Sequence, residues 1–242
     1  LRGKVVPNTV TKTLHTDKVY EPDLNSFTIE PFPYYSPLKS QIETIKSFDR
    51  PVILVDDLVH TANRLQVLVP QLREDGIPIK KVVVGVLSGY GRDLMQCLKV
   101  PVESIYSMPN LRQWFVESTL YPFIGGDTVR REEMKVAGLQ PSINMILPYA
   151  TPRLSGCSRE ALVEFSACCI ENSRDLFQVL EAEYRKMYAK NLTLSRLSEA
   201  VILPLCPDKG SCMEYDENLA ASVYLENDLE TLWRMKEFLI KG

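Results

Sequence analysis

Strand-like and helix-like stretches alternate through the first half of the chain. Pro51-Val52-Ile53-Leu54-Val55 is an unbroken apolar run that ends in Asp56-Asp57, and a run without polar alternation fits a strand covered on both faces. Leu65, Leu68, Val69 and Leu72 then recur at i, i+3, i+4 and i+7, the period of an amphipathic helix, with Gly76 placed to end it. Lys81-Val82-Val83-Val84-Gly85-Val86-Leu87 reads as a second buried strand, Gly91-Arg92-Asp93 opens a short helix through Leu98, and Val100 to Tyr106 forms a third, more peripheral strand. Strand, helix, strand, helix, strand with short connections predicts an open parallel sheet with flanking helices and right-handed crossovers.

The flanks read differently. Val10 to Leu14 and Phe27 to Ile29 are strand candidates around a turn at Pro22-Asp23, and Ser36 is placed to cap a helix from Pro37 to Phe48. Residues 110 to 147 are mixed, with a loop at Gly125-Gly126-Asp127. Pro and Gly cluster between Pro148 and Gly156, which predicts an α/β domain over 1–150 and a mainly helical region over 151–242. In the latter, Leu162, Phe165, Cys169, Leu176, Leu180, Tyr184 and Met187 form a stripe on one long helix capped by Ser158, with Glu160 in its first turn. A loop at Pro204 to Cys212 precedes a last helical stretch containing Leu229, Leu232, Trp233, Phe238 and Leu239. The stripe packs on the α/β core, joins copies as a homodimer, or docks another domain of a longer chain; the pattern leaves these open.

Composition narrows the class. With 45% apolar and 24% charged residues the 242-residue chain is globular in character, which excludes a disordered or collagen-like polymer. The net charge of −3 gives no basic footprint for nucleic acid. No window reaches the roughly 20 apolar residues of a membrane helix. Leu1-Arg2-Gly3-Lys4 leads into no apolar stretch of a signal peptide, and the absence of an initiator Met points to a piece of a longer polypeptide. Six cysteines, two of them adjacent at Cys168-Cys169 in a helical pattern, read as buried thiols of a reducing compartment, the cytoplasm.

Candidate chemistry concentrates in Val52-Ile53-Leu54-Val55-Asp56-Asp57-Leu58-Val59-His60-Thr61-Ala62-Asn63-Arg64-Leu65. It places two carboxylates at the carboxyl end of a strand, then a loop, then a helix start, the edge where open α/β sheets bind ligands. Amide groups near residues 61 to 65 favour a phosphate there, and the carboxylates suit sugar hydroxyls or a Mg2+ ion.

The segment resembles the phosphoribosyl-diphosphate-binding motif of type I phosphoribosyltransferases: four apolar residues, two acids, two apolar residues, Asp, Thr, Gly, any residue, Thr. Asp56, Asp57 and Thr61 match, with the apolar run before them and Leu65 after. The resemblance implies a phosphoribosyltransferase-like fold and a phosphoribosyl-containing small molecule as ligand. Asp56 and Asp57 then hold the ribose hydroxyls with Mg2+, and Thr61, Ala62, Asn63, Arg64 and Leu65 cradle the 5-phosphate. The chain departs from the motif at three places. His60 stands where the family has an acid, and serves as base or as electrostatic partner of the departing group. Ala62 stands for Gly, which restricts positive φ. Arg64 replaces the second Thr and either pairs with phosphate or fills the site. Two functions follow, a glycosyl-transferring enzyme and an inactive regulatory or interaction domain.

A further alternative is a response-regulator receiver, which the Asp pair, the Leu-rich helix and Met108-Pro109 resemble; its phosphoacceptor position holds Ile105. Gly89-Tyr90-Gly91-Arg92 follows the second strand and either lines the same edge or is a tight turn. Trp114-Phe115 near Arg112 stacks a base or packs in the core, and Cys206 and Cys212 lack zinc-site spacing.

Overall fold

The computed structural model describes residues 11–32, 35–130, 140–152, 154, 156–197, 202–204 and 215–241. The first elements are β1 (Thr16–Tyr20), β2 (Phe27–Pro31) and α1 (Leu38–Lys46). Helix α1 starts after Pro37, whose preset φ suits a helix start, and Ser36 is not its side-chain cap: the Ser36 carbonyl accepts from Gln41 Nε2 instead.

The expected alternation follows as β3 (Val52–Val59), α2 (Asn63–Glu74), β4 (Ile79–Ser88), α3 (Gly89–Cys97) and β5 (Val102–Met108). The three strands form a parallel sheet in the order β3-β4-β5, with Leu54 beside Val82 and Val82 beside Val102. Leu65, Leu68, Val69 and Leu72 are the buried face of α2, and Gly76 follows it with a positive φ of 74° that closes the helix. Val59, Ala62, Leu65, Val69, Val82, Val84, Leu87, Met95 and Val100 share one core cluster, and Leu38, Ile42 and Ile45 of α1 meet Leu68, Leu72 and Ile77 in another.

Two features of β3 differ from the sequence reading. The strand runs through the two acids and ends at Val59 rather than Val55. Its side chains also alternate in exposure instead of being covered on both faces: Ile53 is 47% and Val55 56% exposed, and Ile105 on β5 reaches 75%. Branched side chains suit an extended backbone whether or not a layer covers them, so the run specified the strand without specifying its cover.

Residues 1–18 and 28–114 form one compact unit, and residues 19–27 and 115–242 a second. The Pro and Gly cluster at 148–156 falls inside the second unit. β1 and β2 join β6 (Asp127–Val129), β7 (Gln140–Ile143) and β8 (Ile202–Pro204) in the order β2-β1-β6-β7-β8; β6 is parallel to β1 and antiparallel to β7.

The second unit is built around α4 (Arg159–Tyr188), with the short α5 (Leu194–Leu197) and α6 (Ala221–Lys241). Ser158 caps α4 as expected, its Oγ accepting from the Ala161 N–H. The buried face of α4 is Val163, Ser166, Ala167, Cys169, Ile170, Ser173 and Phe177; Cys169 of the expected stripe is thus buried, whereas Leu176, Leu180 and Met187 are exposed. Ser166 and Ser173 sit in the core because each hydroxyl donates to a carbonyl one turn back, and Ser166 Oγ also accepts from the Leu147 N–H at 3.0 Å. Phe123, Ile143, Ile146, Tyr149, Leu225 and Leu232 complete this core, and Tyr149 Oη donates to Asp228 Oδ2 at 2.6 Å with both residues buried. Gly125 is buried too, its carbonyl accepting from Asn144 Nδ2, so the Gly125-Gly126 segment is a packed turn.

Cys169 is buried and its thiol is pushed up to about 11, while Cys97, Cys157 and Cys168 are exposed; these four are free thiols. Among the described residues no helix is long and apolar enough to cross a membrane.

Candidate functional site

Since β3 carries Asp56 and Asp57 inside the strand, their Cβ atoms leave on opposite faces. Asp56 is partly buried and Asp57 exposed. Each carboxylate folds back on the following amide: Asp56 Oδ1 accepts from the Asp57 N–H at 3.1 Å, and Asp57 Oδ1 from the Leu58 N–H at 2.7 Å. Arg64 reaches back from α2 to place Nη1 3.7 Å from Asp56 Oδ1.

Burial raises the Asp56 carboxyl above the ordinary range; Arg64 and the Asp57 amide oppose this, and the Asp57 charge adds to it. A raised native value means that the folded state holds the proton more tightly than the unfolded chain does. Ionisation of Asp56 therefore costs stability at neutral pH, and the cost fades as pH falls through the folded pKa. Asp56→Asn is expected to stabilise the protein at pH 7, with the difference shrinking in mildly acidic buffer. Denaturant titrations at the two pH values test this; a less stable variant at pH 7 would show that the Arg64 contact dominates.

Past the strand, Ala62 opens α2 in the left-handed region at φ 50°, the conformation that glycine adopts without penalty. The alanine keeps the expected backbone at a steric cost of about 1–2 kcal/mol, and its methyl is recovered as part of the core. No side chain caps this helix: Asn63 Nδ2 donates to Thr61 Oγ1 at 2.9 Å and Gln66 Nε2 to the Thr61 carbonyl at 2.8 Å. The first amides of α2, at Asn63, Arg64 and Leu65, have no intrahelical acceptor, as at any helix start. The Leu65 side chain is buried in the core.

Val59 lies beside Leu87 in register, so the ends of β3 and β4 meet. His60 Nδ1 is 2.8 Å from Ser88 Oγ, and the same oxygen accepts from the Gly91 N–H at 2.9 Å as the cap of α3. Tyr90 stands edge-on to the imidazole, ring centres 5.9 Å apart. A Cβ on Gly91 would lie 2.3 Å from the Val59 carbonyl oxygen, and one on Gly89 2.6 Å from that of Pro109. Both glycines therefore allow close packing, Gly91 of α3 against β3 and Gly89 against Pro109 after β5. Arg92 Nη2 donates to Ser107 Oγ at 2.6 Å.

Among the described residues no three His, Cys, Asp or Glu side chains gather as a metal site. Asp56 and Asp57 leave the strand on opposite faces, and Arg64 already supplies Asp56 with a positive neighbour. The two carboxylates therefore do not chelate one ion together.

Ser88 is the residue that the sequence reading missed. A Ser immediately before Gly-Tyr-Gly carries the signature of a helix cap, but its pairing with His60 depends on the register of β3 against β4. Of the other candidates, Trp114 is exposed and Phe115 packs against Phe165; Cys206 and Cys212 lie outside the described residues. In the second unit an open cleft of about 450 Å³ is lined by Arg185, Lys190, Arg196, Thr193, Ser195 and Asn218, among others. Comparison with family models, with curated proteins and with solved structures gave no match.

Proposed function

We propose that the carboxyl edge of β3 binds the phosphorylated ribose of a phosphoribosyl-containing small molecule. The observation that carries this reading is the Arg64 guanidinium beside Asp56 at an uncapped helix start that follows the carboxyl end of a parallel strand. Asp56, on the side of the strand that Arg64 reaches, accepts from ribose hydroxyls. Arg64 and the amides of Asn63 and Arg64 take the 5-phosphate, with the left-handed Ala62 turning the backbone toward it. Thr61 and Asn63 hold each other and shape the loop. His60 faces the group attached to the ribose, and Mg2+ enters only as a partner of the ligand's own phosphates.

A second reading is favoured by specific contacts: Arg64 lies against Asp56 and the Leu58 amide occupies one oxygen of Asp57. A ligand must displace these, which suits a sensor or an inactive interaction domain as well as a transferase. The receiver reading has no support, because the aliphatic Ile105 offers no carboxylate to phosphorylate.

Thermal-shift titration separates the readings. Phosphoribosyl diphosphate with Mg2+, ribose 5-phosphate, AMP and inorganic phosphate are compared, and a ligand at 100 times its Kd adds about 2.7 kcal/mol to stability. Arg64→Glu is expected to weaken binding at least tenfold, about 1.4 kcal/mol. Arg185→Glu, in the cationic cleft of the second unit, is expected to leave it unchanged. Loss of binding in Arg185→Glu alone would move the ligand to that cleft and overturn the assignment. A shift confined to the diphosphate with Mg2+ favours transfer, whereas a shift with AMP or ribose 5-phosphate alone favours a sensor.

A further inference from the structure

We infer that Ser88 holds the His60 imidazole with its proton on Nε2, so that the ring meets a ligand at the β3 edge as a hydrogen-bond donor and not as a base. The inference deepens the proposed binding role of that edge and rests on it for its functional meaning, but the tautomer itself stands on the geometry of Ser88.

Ser88 is 1% exposed, so its hydroxyl has no water to fall back on. A serine oxygen offers one hydrogen and two lone pairs. The Gly91 N–H already donates into it at 2.9 Å, and the remaining neighbour is His60 Nδ1 at 2.8 Å. If Nδ1 carried the proton, Oγ would receive two donors while its own hydrogen had no acceptor, a buried unmade hydrogen bond. Donation from Ser88 Oγ–H to Nδ1 satisfies every atom. The neutral ring then carries its proton on Nε2, which lies across the ring from the Ser88 contact. Ser88 thus acts as a positioning residue: the cap of α3 fixes the tautomer of a side chain on the loop after β3.

The chemical consequence is specific. A neutral imidazole with Nε2–H offers a hydrogen to an anionic oxygen, such as a phosphate or the leaving oxygen of a diphosphate. It has no lone pair at Nε2 to take a proton from an attacking group. His60 at this edge therefore recognises or stabilises negative charge, and a transferase built on this site must find its base elsewhere or use none.

The test is long-range 1H–15N correlation of the imidazoles in the full chain at about pH 8.5, where a free imidazole is neutral. The chain has two histidines, so His15→Gln assigns His60 directly. The expected result is the Nε2–H pattern for His60 in the ligand-free protein, a mixture of tautomers in Ser88→Ala, and restoration in Ser88→Thr. An Nδ1–H pattern in the unmodified protein, or an unchanged tautomer in a folded Ser88→Ala, overturns the inference. If Ser88→Ala fails to fold, the pattern of the unmodified protein still decides. The measurement needs no ligand, so an Nε2–H pattern in a protein that binds no phosphoribosyl compound would sink the binding role while leaving the tautomer intact.

Discussion

Gly91→Ala is expected to destabilise the protein by about 2 kcal/mol, although alanine is the better helix former. Within a helix, Ala is favoured over Gly by about 1 kcal/mol. Here the added methyl would lie 2.3 Å from the Val59 carbonyl oxygen and 2.8 Å from its carbon. Both are backbone atoms of a strand already paired with β4, so neither yields like a side chain. Forcing a methyl into such a contact costs about 3 kcal/mol at the upper end of overpacking effects, and sterics wins. The shift that relieves it moves α3 away from β3 and draws Ser88 from His60, so the variant is also expected to weaken binding at the proposed β3-edge site. Urea denaturation measures the first effect; a variant as stable as the parent would mean that the start of α3 moves freely and that Gly91 is not a packing requirement.

Tyr149→Phe is expected to cost about 2 kcal/mol with no change in ligand binding at the β3 edge. The phenol donates to Asp228 at 2.6 Å between residues 1% and 5% exposed, a short hydrogen bond to a carboxylate out of water. Deleting the hydroxyl leaves Asp228 short of a donor, and a buried acceptor deprived of one partner loses roughly 1–3 kcal/mol. Asp228 keeps further interactions, which places the cost inside that range and below the 3–5 kcal/mol of a fully orphaned charge. Denaturation of the variant beside a ligand titration checks both halves; a neutral substitution would show that the carboxylate is protonated or fully served by its other partners.

The central strands and α2 were legible because each depends on local pattern. The unbroken Val/Ile/Leu runs gave β3 and β4, and the spacing of Leu65, Leu68, Val69 and Leu72 gave the buried face of α2. What failed depended on partners distant in sequence. The two acids read as the end of β3, yet the strand passes through them because one projects into water and the other meets Arg64 on the next helix. The core face of α4 likewise includes Ser166, whose hydroxyl accepts from the Leu147 N–H 19 positions away. In the candidate site, Asp56, Asp57, His60 and Arg64 were found from one contiguous segment. Ser88, 28 positions from His60, became visible only with the register of β4.

The division of the chain has a consequence for its synthesis. Residues 19–27 belong to the second unit, and Val19 and Tyr20 pair with Thr128 and Val129. That segment leaves the ribosome well before the strand it is to join, and the whole stretch 28–114 emerges in between. The first unit, made of local strand-helix-strand contacts, has what it needs to close early; the second must wait for α4 and α6 while its first strand stands ready. Cutting the gene at Trp114 therefore separates paired strands: a fragment beginning at Phe115 lacks residues 19–27 of its own unit, and the piece before it keeps β1 and β2 without β6.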